Sequence, residues 1–137
     1  VEQGPLELYP GSHLGPIFEH YDDQGVWTGA VREQDLAGVG PDGPIAVTGP
    51  AGTVSVHHSR TIHGSGQNKS SQGRPVLVLT YSAADAIPYT APAYPSSRYG
   101  VLVRGEEPGY AHHEELYVPM PPDWSDGYTS IFAHQEK

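Results

Sequence analysis

Residues 63–68 have the sequence His-Gly-Ser-Gly-Gln-Asn, and Arg74 follows them at the start of the apolar run 75–81. Imidazole is a good ligand for iron, and a guanidinium group holds a carboxylate through two parallel hydrogen bonds. A histidine that closes one strand and an arginine that opens the next would project into a shared cavity. The pattern therefore predicts a site for a metal ion and an oxoacid, built on His63 and Arg74.

Two further pairs have the spacing of metal ligands. His20 and Asp22 form a literal His-x-Asp, and His112 and Glu114 form a His-x-Glu. In a strand, positions i and i+2 share a face. No strand pattern surrounds residues 20–22, so a polar loop is favoured there.

Two adjacent histidines precede His63 and receive different interpretations. Residues 53–58 alternate as a strand does, which places His57 on one face and His58 on the other. His57 could reach the cavity, where it would hydrogen-bond to a metal ligand or contact the substrate. His58 shares the face of Val54 and Val56, which predicts a histidine packed in the core or at an interface.

Three further residues could belong to the surroundings of this candidate site. His13 belongs to a Pro-Gly-Ser-His turn over residues 10–13, where Pro and Gly end the preceding strand. Asn68 has two open interpretations, as part of the pocket wall or as a turn residue. Trp27 is more readily interpreted as a core aromatic than as a pocket residue.

The elements that must position these side chains are mostly short strands separated by Gly and Pro. A short helix is predicted over residues 31–37, which contain neither Gly nor Pro. Strands are predicted at residues 5–10, 45–47, 53–58, 74–82 and 100–103. This succession predicts an all-β fold, a sandwich or jelly roll.

Composition sets outer bounds on function. The 137 residues are about one domain's worth of chain, long enough to bury a core, and contain no cysteine for disulfides or thiolate metal sites. Sixteen Asp and Glu against seven Lys and Arg give a formal charge of −9, which repels phosphate backbones. No apolar run approaches the roughly 20 residues of a membrane span. We expect no nucleic-acid or membrane partner, and a cytoplasmic location.

The chain changes character after residue 87, where prolines and tyrosines become frequent. Proline enforces open conformations and tyrosine supplies contact area. We therefore divide the sequence into a β domain over residues 1–87 and an extended tail, residues 88–137, that packs on the same domain. The sequence begins without Met and runs directly into strand-like residues, so we expect a cut N-terminus.

Taken together, these motifs resemble the phytanoyl-CoA dioxygenase family of iron(II)- and 2-oxoglutarate-dependent oxygenases. The resemblance spans roughly residues 3–87, and the segment from His63 to Arg74 is its most specific part. The matching positions are residues 4–13 (GPLELYPGSH), 52–54 (GTV), 63–68 (HGSGQN), Arg74, Tyr81 and 83–86 (AADA).

The resemblance implies a double-stranded β-helix, a jelly roll with iron at one open end, of which this chain would be the C-terminal portion. His63 would be the distal iron ligand. Arg74 would clamp the far carboxylate of 2-oxoglutarate, and Ser65 would be its hydroxyl partner. The implied reaction couples oxidative decarboxylation of 2-oxoglutarate to succinate with hydroxylation of a small organic molecule.

The family pattern also exposes a gap. Its iron site is a facial triad of two histidines and one carboxylate, and its His-x-Asp pair precedes the Pro-Gly-Ser-His turn. Here that pair would lie before residue 1, because His20 and Asp22 follow the turn and His112 and Glu114 follow His63. This chain alone is therefore expected to be incomplete and inactive.

Two alternatives remain open at this point: a halogenase of the same fold, in which halide replaces the carboxylate ligand, and a jelly-roll binding module without iron. An incomplete jelly roll would have unpaired strand edges and an uncovered apolar face. We therefore expect either self-association of the chain or a missing N-terminal segment.

Overall fold

The computed structural model describes residues 2–40 and 42–127. The chain divides into two units. The first comprises Val1–Glu19 and Val31–Leu77, and the second comprises His20–Ala30 and Val78–Lys137. Each unit is considered by itself.

The first unit is built on an antiparallel sheet of three short strands. They are β1 (Leu6–Leu8), β2 (Ile45–Val47) and β3 (His63–Ser65), in the spatial order β2-β1-β3. Leu8 pairs with Ile45 on one side and with His63 on the other. The backbone bonds continue past the strand end, where the Tyr9 N–H donates to the Ile62 carbonyl at 2.9 Å.

Local signals account for the turn and the helix that connect these strands. The chain leaves β1 through Gly11, whose φ of 79° suits glycine, and enters a 3₁₀ helix at Ser12–Leu14. Helix α1 covers Glu33–Leu36, within the predicted range 31–37. Arg32 precedes it and pairs with Asp35 at 2.7 Å, and acidic residues in the first turn oppose the positive end of the helix dipole.

Three of the predicted strands are wrong. Residues 53–58, 74–82 and 100–103 are irregular or turn, although the first two alternate or concentrate apolar residues as strands do. Alternation marks the side chains that gain from burial, whereas a strand also needs a neighbour to take up its N–H and C=O groups. No described strand lies beside these segments, and their side chains stay exposed, at 93% for Val56 and 82% for Leu77.

The expected apolar core is also absent from the described residues. No apolar side chain there is buried, and Thr61, at 8% exposure, is the buried polar one. Strands of three residues present too small a face to cover larger side chains. The first unit is held mainly by backbone pairing and by side chains that bond to the backbone.

The second unit contains an isolated antiparallel bridge between Tyr21 and Trp27. Trp27 lies edge-on to Trp124, with ring centres 5.0 Å apart. The Tyr21 hydroxyl donates to the Met120 carbonyl at 2.9 Å. Trp27 is half-buried, and no apolar side chain among the described residues is buried, so the expectation of a core aromatic is wrong.

The regular structure of the described residues is mainly β, as expected, with a single short α-helix and one 3₁₀ helix. Neither of these helices has the length and apolar character needed to cross a membrane. The division at residue 87 stays a prediction.

Candidate functional site

Strand β3 presents His63 and Ser65 on one face of the sheet. Alternate positions of a strand share a face, and paired residues of neighbouring strands point the same way. His63 therefore lies beside Leu8, and Ser65 lies beside Leu6. Both side chains are exposed. This placement keeps an imidazole and a hydroxyl two positions apart and available to a ligand.

The ring of His63 has a defined tautomer. Its Nδ1 lies 2.7 Å from the Thr61 carbonyl oxygen. A carbonyl can only accept, so Nδ1 must carry the proton and Nε2 must carry the lone pair in the neutral ring. Metal-binding histidines are commonly oriented by a bond of this kind from the second ring nitrogen. The lone pair of the neutral His63 ring is thus on Nε2.

His57 and His58 are placed differently relative to His63. The rings of His57 and His63 have centres 4.9 Å apart with planes inclined at 57°, so His57 does lie next to the candidate ligand. His58 Nδ1 accepts the Arg60 N–H at 3.1 Å, which puts its proton on Nε2. His58 is exposed, with its ring centre 5.5 Å from that of His13, so its expected packing in the core is wrong, and the interface alternative stays a prediction.

The Pro-Gly-Ser-His turn and the segment before His63 are joined by hydrogen bonds. The Ser12 hydroxyl donates to the Tyr9 carbonyl at 2.7 Å and accepts the Ile62 N–H at 2.8 Å. An Arg60 terminal nitrogen donates to the Gly15 carbonyl at 2.7 Å. The two motifs that carried the resemblance are therefore adjacent, and Ser12 continues the pairing of β1 beyond its end.

Arg74 does not lie on a strand beside His63. It is exposed, and its Nε donates to the Gln3 carbonyl at 3.1 Å, just before β1. His63 instead pairs with Leu8 at the far end of β1, and Ser65 pairs with Leu6 between them. The structure thus places Arg74 and His63 toward opposite ends of β1. The shared cavity between two strands is not formed by the described residues.

Asn68 has the turn role. Its side-chain amide donates to the Gln72 carbonyl at 2.8 Å, and its Oδ1 accepts from the N–H and hydroxyl of Ser70. These bonds stabilise the loop between His63 and Arg74, and they engage both polar atoms of the Asn68 side chain.

The His-x-Asp look-alike is a turn. Asp22 Oδ1 accepts the N–H groups of Gln24 and Val26 at 2.9 and 2.8 Å, as an Asp in a turn commonly does. Protein atoms around the His20 imidazole remove part of its hydration and lower its pKa, although the residue remains exposed at the surface. His112 and Glu114, the other pair, lie exposed in irregular chain.

The donor set fits one metal ligand and falls short of a complete metal site. Within residues 2–40 and 42–127, no three His, Asp or Glu side chains come together as a metal ion would require. His63 Nε2 is the nitrogen with the chemistry of an iron ligand, and its supporting bond to Thr61 is present.

Comparison with known proteins decides the family. The model of the family described as phytanoyl-CoA dioxygenase (PhyH) matches residues 1–76, which is more than half of the chain. The chain belongs to the phytanoyl-CoA dioxygenase family. No solved structure gives a significant match.

Three curated relatives resemble the chain. A probable alpha-ketoglutarate-dependent hypophosphite dioxygenase of Stutzerimonas stutzeri is 32% identical over 136 residues, which are 98% of this chain and 48% of that protein. An L-proline trans-4-hydroxylase of Streptomyces griseoviridis is 36% identical over 101 residues, 64% of this chain and 38% of that protein. A peroxisomal phytanoyl-CoA dioxygenase of Rattus norvegicus is 31% identical over 85 residues, 60% and 25% respectively.

The chain spans about half the length of the hypophosphite dioxygenase and less of the other two. The match that supports the family assignment therefore covers only a part of each of these longer proteins.

Two contributors to the site had no clear mark in the sequence. Thr61 accepts the bond from the His63 ring through its backbone carbonyl. Every residue has this group, so the residue type at position 61 does not predict the contact. Ser12 was visible as a turn residue, but its bond to Ile62 joins positions far apart in the chain. The pairing of β1 with β3 brings Ser12 to Ile62, whereas Thr61 lies only two positions before His63.

Proposed function

We propose that this chain is part of an iron(II)- and 2-oxoglutarate-dependent oxygenase and supplies one iron ligand and the cosubstrate clamp. The observation that carries the proposal is the Nδ1 bond from His63 to the Thr61 carbonyl, which leaves Nε2 as the ligand atom. The family membership and the names of two relatives, both alpha-ketoglutarate-dependent or hydroxylating enzymes, support it.

In this proposal, each side chain has a separate task. His63 holds iron(II) through Nε2, and the other two members of the triad come from outside residues 2–40 and 42–127. The terminal nitrogens of Arg74 hold the distal carboxylate of 2-oxoglutarate, because only its Nε is engaged by Gln3. Ser65 donates its hydroxyl to the same carboxylate. Bound iron would activate dioxygen for oxidative decarboxylation of the cosubstrate to succinate and hydroxylation of the substrate.

The proposed complete fold is a double-stranded β-helix in which β1 and β3 are neighbouring strands. The antiparallel pairing of Leu6 with Ser65 and of Leu8 with His63 supports this arrangement. The Pro- and Tyr-rich residues after 87 would pack on the same domain.

The proposed substrate is a small molecule. The relatives are named for hypophosphite, L-proline and phytanoyl-CoA. These compounds are all small molecules but otherwise share little chemistry. The activity proposed here is therefore the oxygenation step common to them. No described residue is assigned to the substrate pocket.

The clamp is tested by anaerobic titration of the full-length protein with 2-oxoglutarate in the presence of iron(II). Replacing Arg74 by Ala removes charge-assisted hydrogen bonds worth about 1.5–3 kcal/mol, so we expect roughly tenfold to hundredfold weaker binding. Arg104→Ala, which removes an exposed cation of the second unit, is the matched control. Unchanged 2-oxoglutarate affinity in Arg74→Ala would refute the clamp.

A further inference from the structure

A polar groove of the first unit lies beside Arg74 and has no part in the proposed reaction. It is lined by Glu2, Gln3, Lys69, Ser70, Ser71 and Gln72. Two bonds tie its walls together: the Lys69 N–H donates to the Glu2 carbonyl at 2.8 Å, and the Gln3 amide donates to Gln72 Oε1 at 3.4 Å. Arg74 adjoins the groove through its bond to the Gln3 carbonyl.

The loop that forms one wall uses some of its polar groups and leaves others available. The Ser70 hydroxyl donates to Asn68 Oδ1 at 2.8 Å and accepts the Gln72 N–H at 3.2 Å, so Ser70 is committed to the shape of the loop. No acceptor within the described residues takes a bond from the Lys69 ammonium group or from the hydroxyl and N–H of Ser71. The groove therefore offers donors of two kinds, a cation and neutral groups.

The charge of this region is unusual for the chain. Only seven Lys and Arg are present against sixteen Asp and Glu, and Lys69 and Arg74 lie five positions apart on the same loop. Within the described residues, neither of them forms an ion pair. Glu2 is the opposing charge on the lining. An anion that displaced water from the groove would meet one lining cation, Lys69, and one lining carboxylate, Glu2, while Arg74 adjoins the groove.

We propose that this groove binds a small oxyanion, and that Lys69 and Ser71 are its principal contacts. A phosphate-like ion suits the donor set best, because its four oxygens can accept from an ammonium group, a hydroxyl and an N–H at the same time. The site is separate from the carboxylate role of Arg74, since neither Lys69 nor Ser71 takes part in the proposed reaction.

The test is calorimetric titration of the protein with inorganic phosphate at low ionic strength, without iron or 2-oxoglutarate. Lys69→Gln is expected to weaken phosphate binding roughly tenfold, and Ser71→Ala roughly fivefold, because one loses a charged and the other a neutral hydrogen bond. Arg104→Gln makes the same change in net charge at a distant sequence position and is expected to leave the affinity unchanged. Glu2→Gln removes the repelling carboxylate and is expected to tighten binding.

Either of two results overturns the proposal: phosphate affinity that is unchanged in Lys69→Gln, or an equal loss in Arg104→Gln, which would reduce the effect to overall charge. Acetate has two oxygens in one plane and is expected to bind more weakly than phosphate. Tighter binding of acetate would contradict the assignment to a phosphate-like ion. Because iron and cosubstrate are absent, these outcomes do not depend on the oxygenase activity.

Discussion

At the scale of single residues, the two hydrogen-bonded histidines of the first unit differ in the nitrogen that is free to bind a metal. His63 donates from Nδ1 to the Thr61 carbonyl, whereas His58 accepts at Nδ1 from Arg60. A neutral imidazole has one proton, so His63 offers a lone pair at Nε2 and His58 offers an N–H there. Only the first of these can ligate an ion without giving up its backbone bond.

This difference predicts the outcome of two matched substitutions. His63→Ala in the full-length protein is expected to lower cobalt(II) or iron(II) affinity at least tenfold, because one ligand of three is lost. His58→Ala removes an exposed imidazole a few positions away. Because His58 is not a ligand in this proposal, the metal affinity is expected to change less than about twofold. Metal binding can be followed by the visible absorption of cobalt(II). Equal losses in both variants would contradict the assignment.

The lowered pKa of His20 predicts how stability depends on pH. Its value lies below the ordinary 6.5 because the folded protein partly desolvates the ring. The unfolded chain then takes up a proton at a higher pH than the folded chain does. The free energy of unfolding should therefore decrease as pH falls from above 6.5 to the lowered pKa, and this contribution should level off below it.

The measurement is denaturant unfolding at several values between about pH 8 and pH 5, in the wild type and in His20→Gln. The glutamine variant lacks the titrating ring, so its stability should depend less steeply on pH. The difference will be small, because His20 remains exposed. A steeper dependence in the variant would show that the sign is wrong.

Residue types alone indicated the chemistry but not every contact. The histidine and the arginine of the motif indicated a site for a metal ion and an oxoacid, and that site stays a prediction. The contact of Arg74 with the Gln3 carbonyl was not foreseeable, because it depends on how the loop returns to the start of β1.

At the scale of elements, Gly4 lies close to Gly66 just beyond the paired ends of β1 and β3. Gly4 has a φ of 62°, and a methyl group on it would overlap the Gly66 carbonyl oxygen. The pairing of β1 with β3, and with it the position of His63, requires that this carbonyl stay where it is. Glycine at position 4 serves both the left-handed conformation and the contact.

Gly4→Ala is therefore expected to destabilise the protein more than Gly11→Ala. Gly11 also has a left-handed φ, of 79°, but no atom lies where its methyl group would be. The left-handed conformation alone costs an alanine about 1–2 kcal/mol, and the overlap at Gly4 adds to that cost. Free energies of unfolding from denaturant titration give the comparison. Equal effects would mean that the sheet moves to accept the methyl group.

The elements that were predictable are those whose signals are local. The Pro-Gly turn, β1, β2 and α1 follow from residues within a few positions of one another. Strand β3 was missed because His-Gly-Ser has little strand propensity, and it is a strand only through its pairing with β1. The opposite error occurred at residues 74–82, where propensity was strong and a partner strand was lacking among the described residues.

At the scale of the whole molecule, the segment 75–81 is an exposed apolar run on an otherwise acidic chain. Val76, Leu77, Val78 and Leu79 are all more than half exposed. Exposed strand-like sequence with free backbone groups favours pairing with another chain. We predict that copies of this chain associate with increasing concentration through this segment.

Val78→Lys tests that prediction. Val78 is 77% exposed, so a lysine is tolerated in the folded chain while opposing the stacking of apolar segments. Analytical ultracentrifugation should show a lower average mass for the variant than for the wild type at the same concentration. Glu115→Lys, an exposed position with a charge change, is the control and should associate as the wild type does. Association that persists in Val78→Lys would place the contact elsewhere.

The central position of β1 also has a kinetic consequence. Leu8 must meet Ile45 and His63, both far along the chain, before either hydrogen-bond ladder can form. Closing such long loops delays folding, because the loss of chain entropy precedes the gain from the contacts. The placement of His63 beside Leu8 is therefore expected to form late, whereas the bond from its ring to the Thr61 carbonyl spans only two positions and needs no long loop to close.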